Sequence, residues 1–153
     1  MRLDDIELQH NHMLGGGVCS PRHLGITSTQ YLPSYFSSLT TAKHRFAFIK
    51  ARFNAFPSGV MSHRFSRGRV SDLCSCDELS RESLLHIVFI CPLYSDVRRN
   101  LLSPLVQKFS GLPVEIQLTL LLQDSNPTVT LQVARYLTLV LNHKRRNGLL
   151  QES

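Results

Sequence analysis

Residues 74–92 read CSCDELSRESLLHIVFICP, and this segment holds three of the four cysteines of the chain. Its cysteines and histidine follow the spacing C-x-C-x9-H-x4-C, from Cys74 through Cys76 and His86 to Cys91. Three thiolates and one imidazole form a closed four-ligand set of the kind that structural Zn²⁺ prefers. The sequence therefore predicts one CCHC zinc knuckle with these four side chains as ligands.

The spacing between His86 and Cys91 places a condition on the backbone. On an ideal α-helix, residues five apart point about 140° away from each other. Pro92, however, disfavours the helical conformation for the residue before it. Cys91 can therefore leave the helix, turn back toward His86 and stand at the N-cap of the next helix, where the helix dipole favours a thiolate.

Other interpretations of the cluster stay open. Most structural zinc sites place about two to four residues between the first two cysteines, whereas one residue separates Cys74 from Cys76. In one alternative, His86 is a core histidine and the cysteines are buried small hydrophobic residues. A thiol nucleophile beside His86 is a further alternative, although that histidine lies in an apolar run without an evident orienting carboxylate.

Hydrophobic periodicity predicts a mostly α-helical fold. A basic amphipathic helix is predicted over residues 40–53, and residues 57–73 are predicted to form a loop. The predicted inner face of that helix follows steps of four, three and four: Ala42, Phe46, Ile49 and Phe53. Residues 84–90 form an apolar run that could be a buried strand or a buried helix. A helix that begins at Ser80 or Arg81 is favoured, because Glu82 suits its first turn.

Prolines mark the starts of the later helices. Pro92 and Pro113 begin two of them, and Asn126-Pro127 supplies a cap and a first residue for the last. Gly148 is predicted to end that helix. Its predicted inner face contains four residues: Val129, Val133, Tyr136 and Val140.

The chain divides into three predicted segments. Residues 1–33, with glycines at 15–17 and scattered prolines, are predicted to be a poorly ordered N-terminal tail. Residues 34–110 contain the basic helix and the zinc knuckle, and residues 111–153 contain the C-terminal helices. The predicted fold class is a small, mostly α domain with one CCHC zinc knuckle.

The charge distribution favours a polyanionic partner. The formal net charge is +6, and no Asp or Glu occurs between Glu7 and Asp72. Seven cations of that interval are predicted to contact the phosphates of RNA or DNA: Lys43, Arg45, Lys50, Arg52, Arg64, Arg67 and Arg69. Phe48 or Phe65 is available for base stacking. In the alternative, these cations form a solvated face.

The last helix ends in a second basic run, Lys144-Arg145-Arg146. These cations either add a second nucleic-acid anchor or favour the helix C-terminus electrostatically. No apolar run approaches the roughly 18 to 20 residues that cross a bilayer, and the N-terminus lacks the apolar core of a signal peptide. We therefore expect an intracellular protein of the nucleus or cytoplasm without a membrane partner, where thiols stay reduced.

The motif residues resemble the cysteine-rich C-terminal region of non-LTR (LINE-type) retrotransposon polyproteins. The resemblance rests on four elements: Cys74-Ser-Cys76, Glu82-Ser83-Leu-Leu-His86, Cys91-Pro92-Leu-Tyr94 and Arg98. Arg52 fits the first arginine of the family pattern and Gly68-Arg69 the second. Asp77 departs from the glycine that often follows the second cysteine.

The resemblance covers residues 31–110, with residues 111–149 as the helices that follow. It implies a segment that helps hold template RNA or target DNA during target-primed reverse transcription. No polymerase Asp-Asp pair and no carboxylate set for two-metal chemistry is found in the sequence, so the resemblance implies a non-catalytic segment. The alternatives are a protein-interaction module that uses the C-terminal helices and a retrotransposon relic without activity.

Overall fold

The computed structural model describes residues 33–150, so the predicted tail lies outside the described residues except for Pro33. Seven α-helices are present in this part: α1 Tyr35–Ser38, α2 Ala42–Arg52, α3 Gly59–Phe65, α4 Ser95–Leu101, α5 Ser103–Val106, α6 Val114–Leu122 and α7 Pro127–Arg146. A π-helix, His86–Ile90, and two 3₁₀ helices, Pro92–Tyr94 and Gln107–Phe109, complete the order. The prediction of a mostly α fold is confirmed.

Helix α7 is the longest helix among the described residues and packs most extensively against α2, with further contacts to α1, α4 and α6. The Asn126 side chain caps its start by accepting hydrogen bonds from two backbone N–H groups of the first turn. At its end, Gly148 has φ 64°, and the Leu149 N–H donates to the Lys144 carbonyl at 2.9 Å. This is a Schellman arrangement, so the predicted start and end of the helix are confirmed.

One core joins the segments on either side of residue 110. It includes Phe48 of α2, Ile87 of the π-helix, Leu121 of α6 and Leu137 of α7, each at most 1% exposed. The boundary drawn at residue 110 therefore does not separate two cores. Within residues 33–150, no helix combines the length and the apolar character that a bilayer crossing requires.

The buried face of α2 differs from the predicted one. Four of its residues are buried: Ala47, Phe48, Ala51 and Arg52. Phe46 of the predicted stripe is instead 46% exposed. The predicted inner face was therefore wrong, and Arg52, which was predicted to contact phosphates, lies on the buried face. Its guanidinium lies 5.3 Å from the ring centre of Tyr35 and 5.7 Å from that of Phe48, a cation–π arrangement that suits a buried cation.

The segment predicted to be a loop, residues 57–73, contains helix α3. The Ser58 hydroxyl caps this helix by accepting a hydrogen bond of 3.3 Å from the Met61 N–H. A β-carbon on Gly59 would lie 3.0 Å from the Asp72 carbonyl oxygen and 3.0 Å from Cβ of Glu82. Glycine therefore allows α3 to pack closely against residues 72–82, which carry two of the predicted metal ligands.

Candidate metal centre

Cys74 and Cys76 lie on a short hairpin, residues 72–82, which we call the cysteine hairpin. Its arms are joined by backbone hydrogen bonds, among them one of 2.7 Å from the Cys74 N–H to the Ser80 carbonyl. Leu73 and Arg81 of this hairpin form the only β-bridge among the described residues. A single residue between the two cysteines is therefore compatible with a tight turn that presents both sulfurs.

Asp77 closes the tip of the cysteine hairpin. Its carboxylate accepts hydrogen bonds from the Ser80 hydroxyl at 2.6 Å and from the N–H groups of Ser80 and Leu79 at 2.9 and 3.0 Å. These bonds, led by that of the Ser80 hydroxyl, hold the pKa of Asp77 well below its usual range. Glu78, with φ 57°, is the residue of this turn that adopts the left-handed backbone conformation. The departure from glycine at Asp77 thus leaves the turn closed, because the aspartate forms an Asx turn.

His86 is positioned by a helix that Ser83 caps. The Ser83 hydroxyl accepts a hydrogen bond of 3.1 Å from the His86 N–H, as an N-cap does three residues on. The helix therefore begins at Leu84, and the predicted start at Ser80 or Arg81 is wrong. The prediction of a helix over residues 84–90 is confirmed, but its last five residues form a π-helix.

The π-helix brings His86 and Cys91 together. The Cys91 N–H donates to the His86 carbonyl at 2.7 Å, which is the five-residue hydrogen bond of a π-helix. That bond places His86 and Cys91 on the same side of the helix, whereas an α-helix would direct residues five apart about 140° away from each other. Cys91 itself leaves the helix, with ψ 120°, and is the N-cap of the 3₁₀ helix that begins at Pro92, as predicted.

The four ligand atoms lie within 4.8 Å of one another. The Cys74 and Cys91 sulfurs are 3.6 Å apart, and the Cys76 sulfur is 3.4 Å from Nε2 of His86. A tetrahedral Zn²⁺ with Zn–S bonds of about 2.3 Å and a Zn–N bond of about 2.0 Å separates sulfurs by about 3.8 Å and sulfur from nitrogen by about 3.5 Å. The four side chains therefore lie close enough to hold a metal ion.

The cluster is largely shielded from solvent. Cys74 is 2% exposed, Cys91 0% and His86 5%, and the three cysteines are free thiols. Burial is the largest cause that raises the pKa of each thiol. Together with the neighbouring Cys74 and Asp77, burial raises the pKa of Cys76 to about 11. A hydrogen bond from the Leu93 N–H lowers the pKa of Cys91 but does not offset burial. Metal binding must therefore release protons from these thiols.

Two side chains bind the carbonyl groups around the π-helix. Arg98 donates to the carbonyls of Val88 at 2.7 Å and Cys91 at 2.6 Å, with a longer bond of 3.3 Å to Ile87. The Tyr136 hydroxyl donates to the Ile87 carbonyl at 2.6 Å. Sequence reasoning found Arg98 only through the family resemblance and Tyr136 only as a core residue. Their hydrogen bonds fix the ligand-bearing helix to α4 and α7.

A buried ion pair joins the cysteine hairpin to α7. The Lys144 ammonium donates to the Glu82 carboxylate, and the two residues are 2% and 8% exposed. Of the two interpretations left open for the basic run, the nucleic-acid anchor does not apply to Lys144, because its ammonium is buried against Glu82. Arg145 and Arg146 are exposed. A charge pair at this depth is stable only with both partners present, so the hairpin and α7 depend on each other.

The predicted phosphate-contacting cations differ in exposure. Four are exposed: Lys43, Arg64, Arg67 and Arg69. Two are partly buried: Arg45 and Lys50. Arg52 is 1% exposed, and the prediction that it contacts phosphates is wrong because its side chain lies in the core. Of the two predicted stacking residues, Phe48 is buried and Phe65 is 76% exposed, so only Phe65 of this pair is accessible to a base.

Comparisons with known proteins found no matching family model, no matching curated protein and no matching solved structure. The resemblance to the retrotransposon polyprotein region therefore stays a prediction from the motif residues. The structure itself defines a class of site, a Cys₃His cluster able to hold a metal ion on a small helical scaffold.

Proposed function

We propose that the Cys₃His cluster binds one Zn²⁺ as a structural crosslink. The observation that carries this proposal is the closeness of the four ligand atoms: the separations of 3.6 and 3.4 Å lie near the edges of a zinc tetrahedron, and all four atoms lie within 4.8 Å of one another. Thiolate and imidazole ligands favour Zn²⁺ over Mg²⁺ or Ca²⁺, which take oxygen ligands. The bound ion would supply a fixed link between the cysteine hairpin, the π-helix and the 3₁₀ helix that follows.

The proposal assigns no catalytic role to the cluster. Four protein ligands close a tetrahedral site, whereas a catalytic zinc keeps a position open for water or substrate. Cys74 and Cys91 are also almost fully buried, and a nucleophilic thiol must be accessible to its substrate. The chemistry of the residues therefore favours a structural site.

We propose further that the crosslinked domain binds nucleic acid, in keeping with the retrotransposon resemblance. The exposed cations lie on α2, on α3 and in the loop that leads to the cysteine hairpin, and residues 34–71 contain no Asp or Glu. Three thiolates with Zn²⁺ carry a net negative charge, and Asp77 and Glu78 lie exposed beside them. The phosphate contacts are therefore assigned to residues 34–71, which we call the basic segment, and not to the metal site.

Binding of a labelled RNA strand to the zinc-loaded protein tests this role. We expect the affinity to fall with salt concentration, with each phosphate contact contributing about 0.7 to the slope of log K against log salt for a single strand. The variant Arg64→Gln/Arg69→Gln is expected to lose about 1.4 from that slope, since it removes two contacts. Fluorescence anisotropy at several salt concentrations measures it.

The matched control is Arg99→Gln/Lys108→Gln, which removes the same charge from exposed residues outside the basic segment. Equal losses in both variants would show that net charge alone attracts the RNA. No salt-dependent binding by the unaltered protein would reject the nucleic-acid role.

Docking of a protein partner is a second candidate function with one observation in its favour. Three apolar residues at the start of α6 are between 39% and 47% exposed: Leu112, Val114 and Ile116. A cluster of this kind is common at protein–protein contacts. If a protein partner binds the unaltered domain but does not bind the Ile116→Ser variant, this second function is favoured over the first.

A further inference from the structure

An open groove of about 860 Å³ lies between α2, α3 and the C-terminal end of α7. Apolar residues contribute much of its lining, among them Met61 and Leu141. Two aromatic rings and two cations also line it: Phe46, Lys50, Phe65 and Arg145. A smaller depression that shares Phe46, Leu141 and Arg145 extends it past Lys43. No acidic side chain occurs among the described residues that line either one.

We propose that this groove binds a single-stranded segment of nucleic acid. The inference rests on the proposed nucleic-acid function and deepens it, because it assigns the strand state and the contact residues. Unpaired bases can stack on exposed aromatic rings, whereas bases in a duplex are already stacked on one another. Phe65 is 76% exposed and Phe46 is 46% exposed, so both rings offer surface to an unpaired base.

The cations of the groove complement a polynucleotide backbone. Lys50 follows Phe46 by one helical turn, and its ammonium lies 5.4 Å from the centre of that ring. Arg145 is exposed on α7 and lines the groove together with residues of α3. The groove therefore offers both aromatic rings for bases and cations for phosphates. The lack of lining acids makes an anionic occupant the complementary one.

An acidic peptide shares the charge of this occupant but does not require an aromatic ring face. Phe65→Leu separates the two occupants, because leucine keeps an apolar side chain and removes the ring. Since Phe65 is largely exposed, we expect the variant to fold and to retain its metal. Phe65→Trp keeps a stacking surface and is expected to retain the affinity.

The experiment compares a labelled 20-nucleotide RNA without self-pairing with the same strand annealed to its complement. The zinc-loaded protein should prefer the single strand, and Phe65→Leu should weaken that binding about fivefold or more, since stacking contributes roughly 1 to 3 kcal/mol per base. Binding of the duplex should stay unchanged in this variant. Circular dichroism and zinc content verify that each variant is folded.

Arg145 and Arg146 provide a matched pair of exposed cations, because Arg145 lines the groove and Arg146 is not among its lining residues. Arg145→Gln should lower the affinity for the single strand and reduce the slope of log K against log salt by about 0.7. Arg146→Gln should have a smaller effect on both the affinity and the slope. Salt-dependent binding with equal affinity for strand and duplex, unaffected by Phe65→Leu, would overturn the groove assignment alone. Loss of salt-dependent binding to both RNAs would overturn the proposed function with it.

Discussion

Replacing Cys91 with serine is expected to abolish stable zinc binding and to destabilise the fold by an amount on the order of 5 kcal/mol. The Cys91 sulfur lies 3.6 Å from that of Cys74, and the residue is 0% exposed. A serine hydroxyl stays protonated at neutral pH and cannot replace a thiolate ligand. Urea unfolding followed by circular dichroism, together with zinc content per chain, measures the change.

Ser75→Ala is the matched control for this substitution. Ser75 is exposed between the two cysteines of the hairpin and contributes no ligand atom to the cluster. This variant should retain both the zinc and the stability of the unaltered protein. A Cys91→Ser protein that still binds one zinc with unchanged stability would show that Cys91 is not a ligand.

The second large effect is expected for Lys144→Met, which should reduce the free energy of unfolding by about 3 to 5 kcal/mol. The substitution leaves the Glu82 carboxylate buried without its ammonium partner. Because Glu82 belongs to the cysteine hairpin, the same variant should also bind zinc more weakly. Urea unfolding and competition with a chelator measure the two effects.

The double variant Glu82→Gln/Lys144→Met removes both charges and should recover much of the lost stability. Arg146→Met removes an exposed cation from the same helix and should change the free energy of unfolding by no more than about 0.5 kcal/mol. If the double variant is no more stable than Lys144→Met, the unpaired carboxylate is not the cause of the loss.

The elements that could be predicted from the sequence are those with local signals. Asn126 with Pro127, Cys91 with Pro92, and Gly148 each mark a helix boundary by their own backbone preferences, and the structure places boundaries at all three. The four residues of the candidate metal centre could also be predicted to lie together, because their side-chain chemistry and spacing suffice to suggest a metal site.

The π-helix that brings His86 and Cys91 together could not be predicted from local signals. The sequence showed that His86 and Cys91 need a departure from α geometry, but not that a π-helix supplies it. That helix is supported by hydrogen bonds from Arg98 and Tyr136, residues that lie on other helices. Hydrogen bonds between distant helices depend on the tertiary fold, so they cannot be predicted from the local sequence around residue 90.

Buried charges explain the main errors. Periodicity assigns cations to the surface, yet Arg52 lies against two aromatic rings and Lys144 against a carboxylate. The prediction that Arg52 contacts phosphates, and the interpretation of Lys144 as a nucleic-acid anchor, failed for this reason. Helix α3 was missed because its short segment, rich in polar residues, has little apolar periodicity.

X-ray absorption at the zinc edge, combined with the metal content of the purified reduced protein, tests the zinc site most directly. The ligand set predicts one zinc per chain, with three sulfurs at about 2.3 Å and one nitrogen at about 2.0 Å. A protein that binds no zinc, or whose bound zinc has a shell of oxygen and nitrogen with fewer than three sulfurs, would contradict the assignment of Cys74, Cys76, His86 and Cys91 as its ligands.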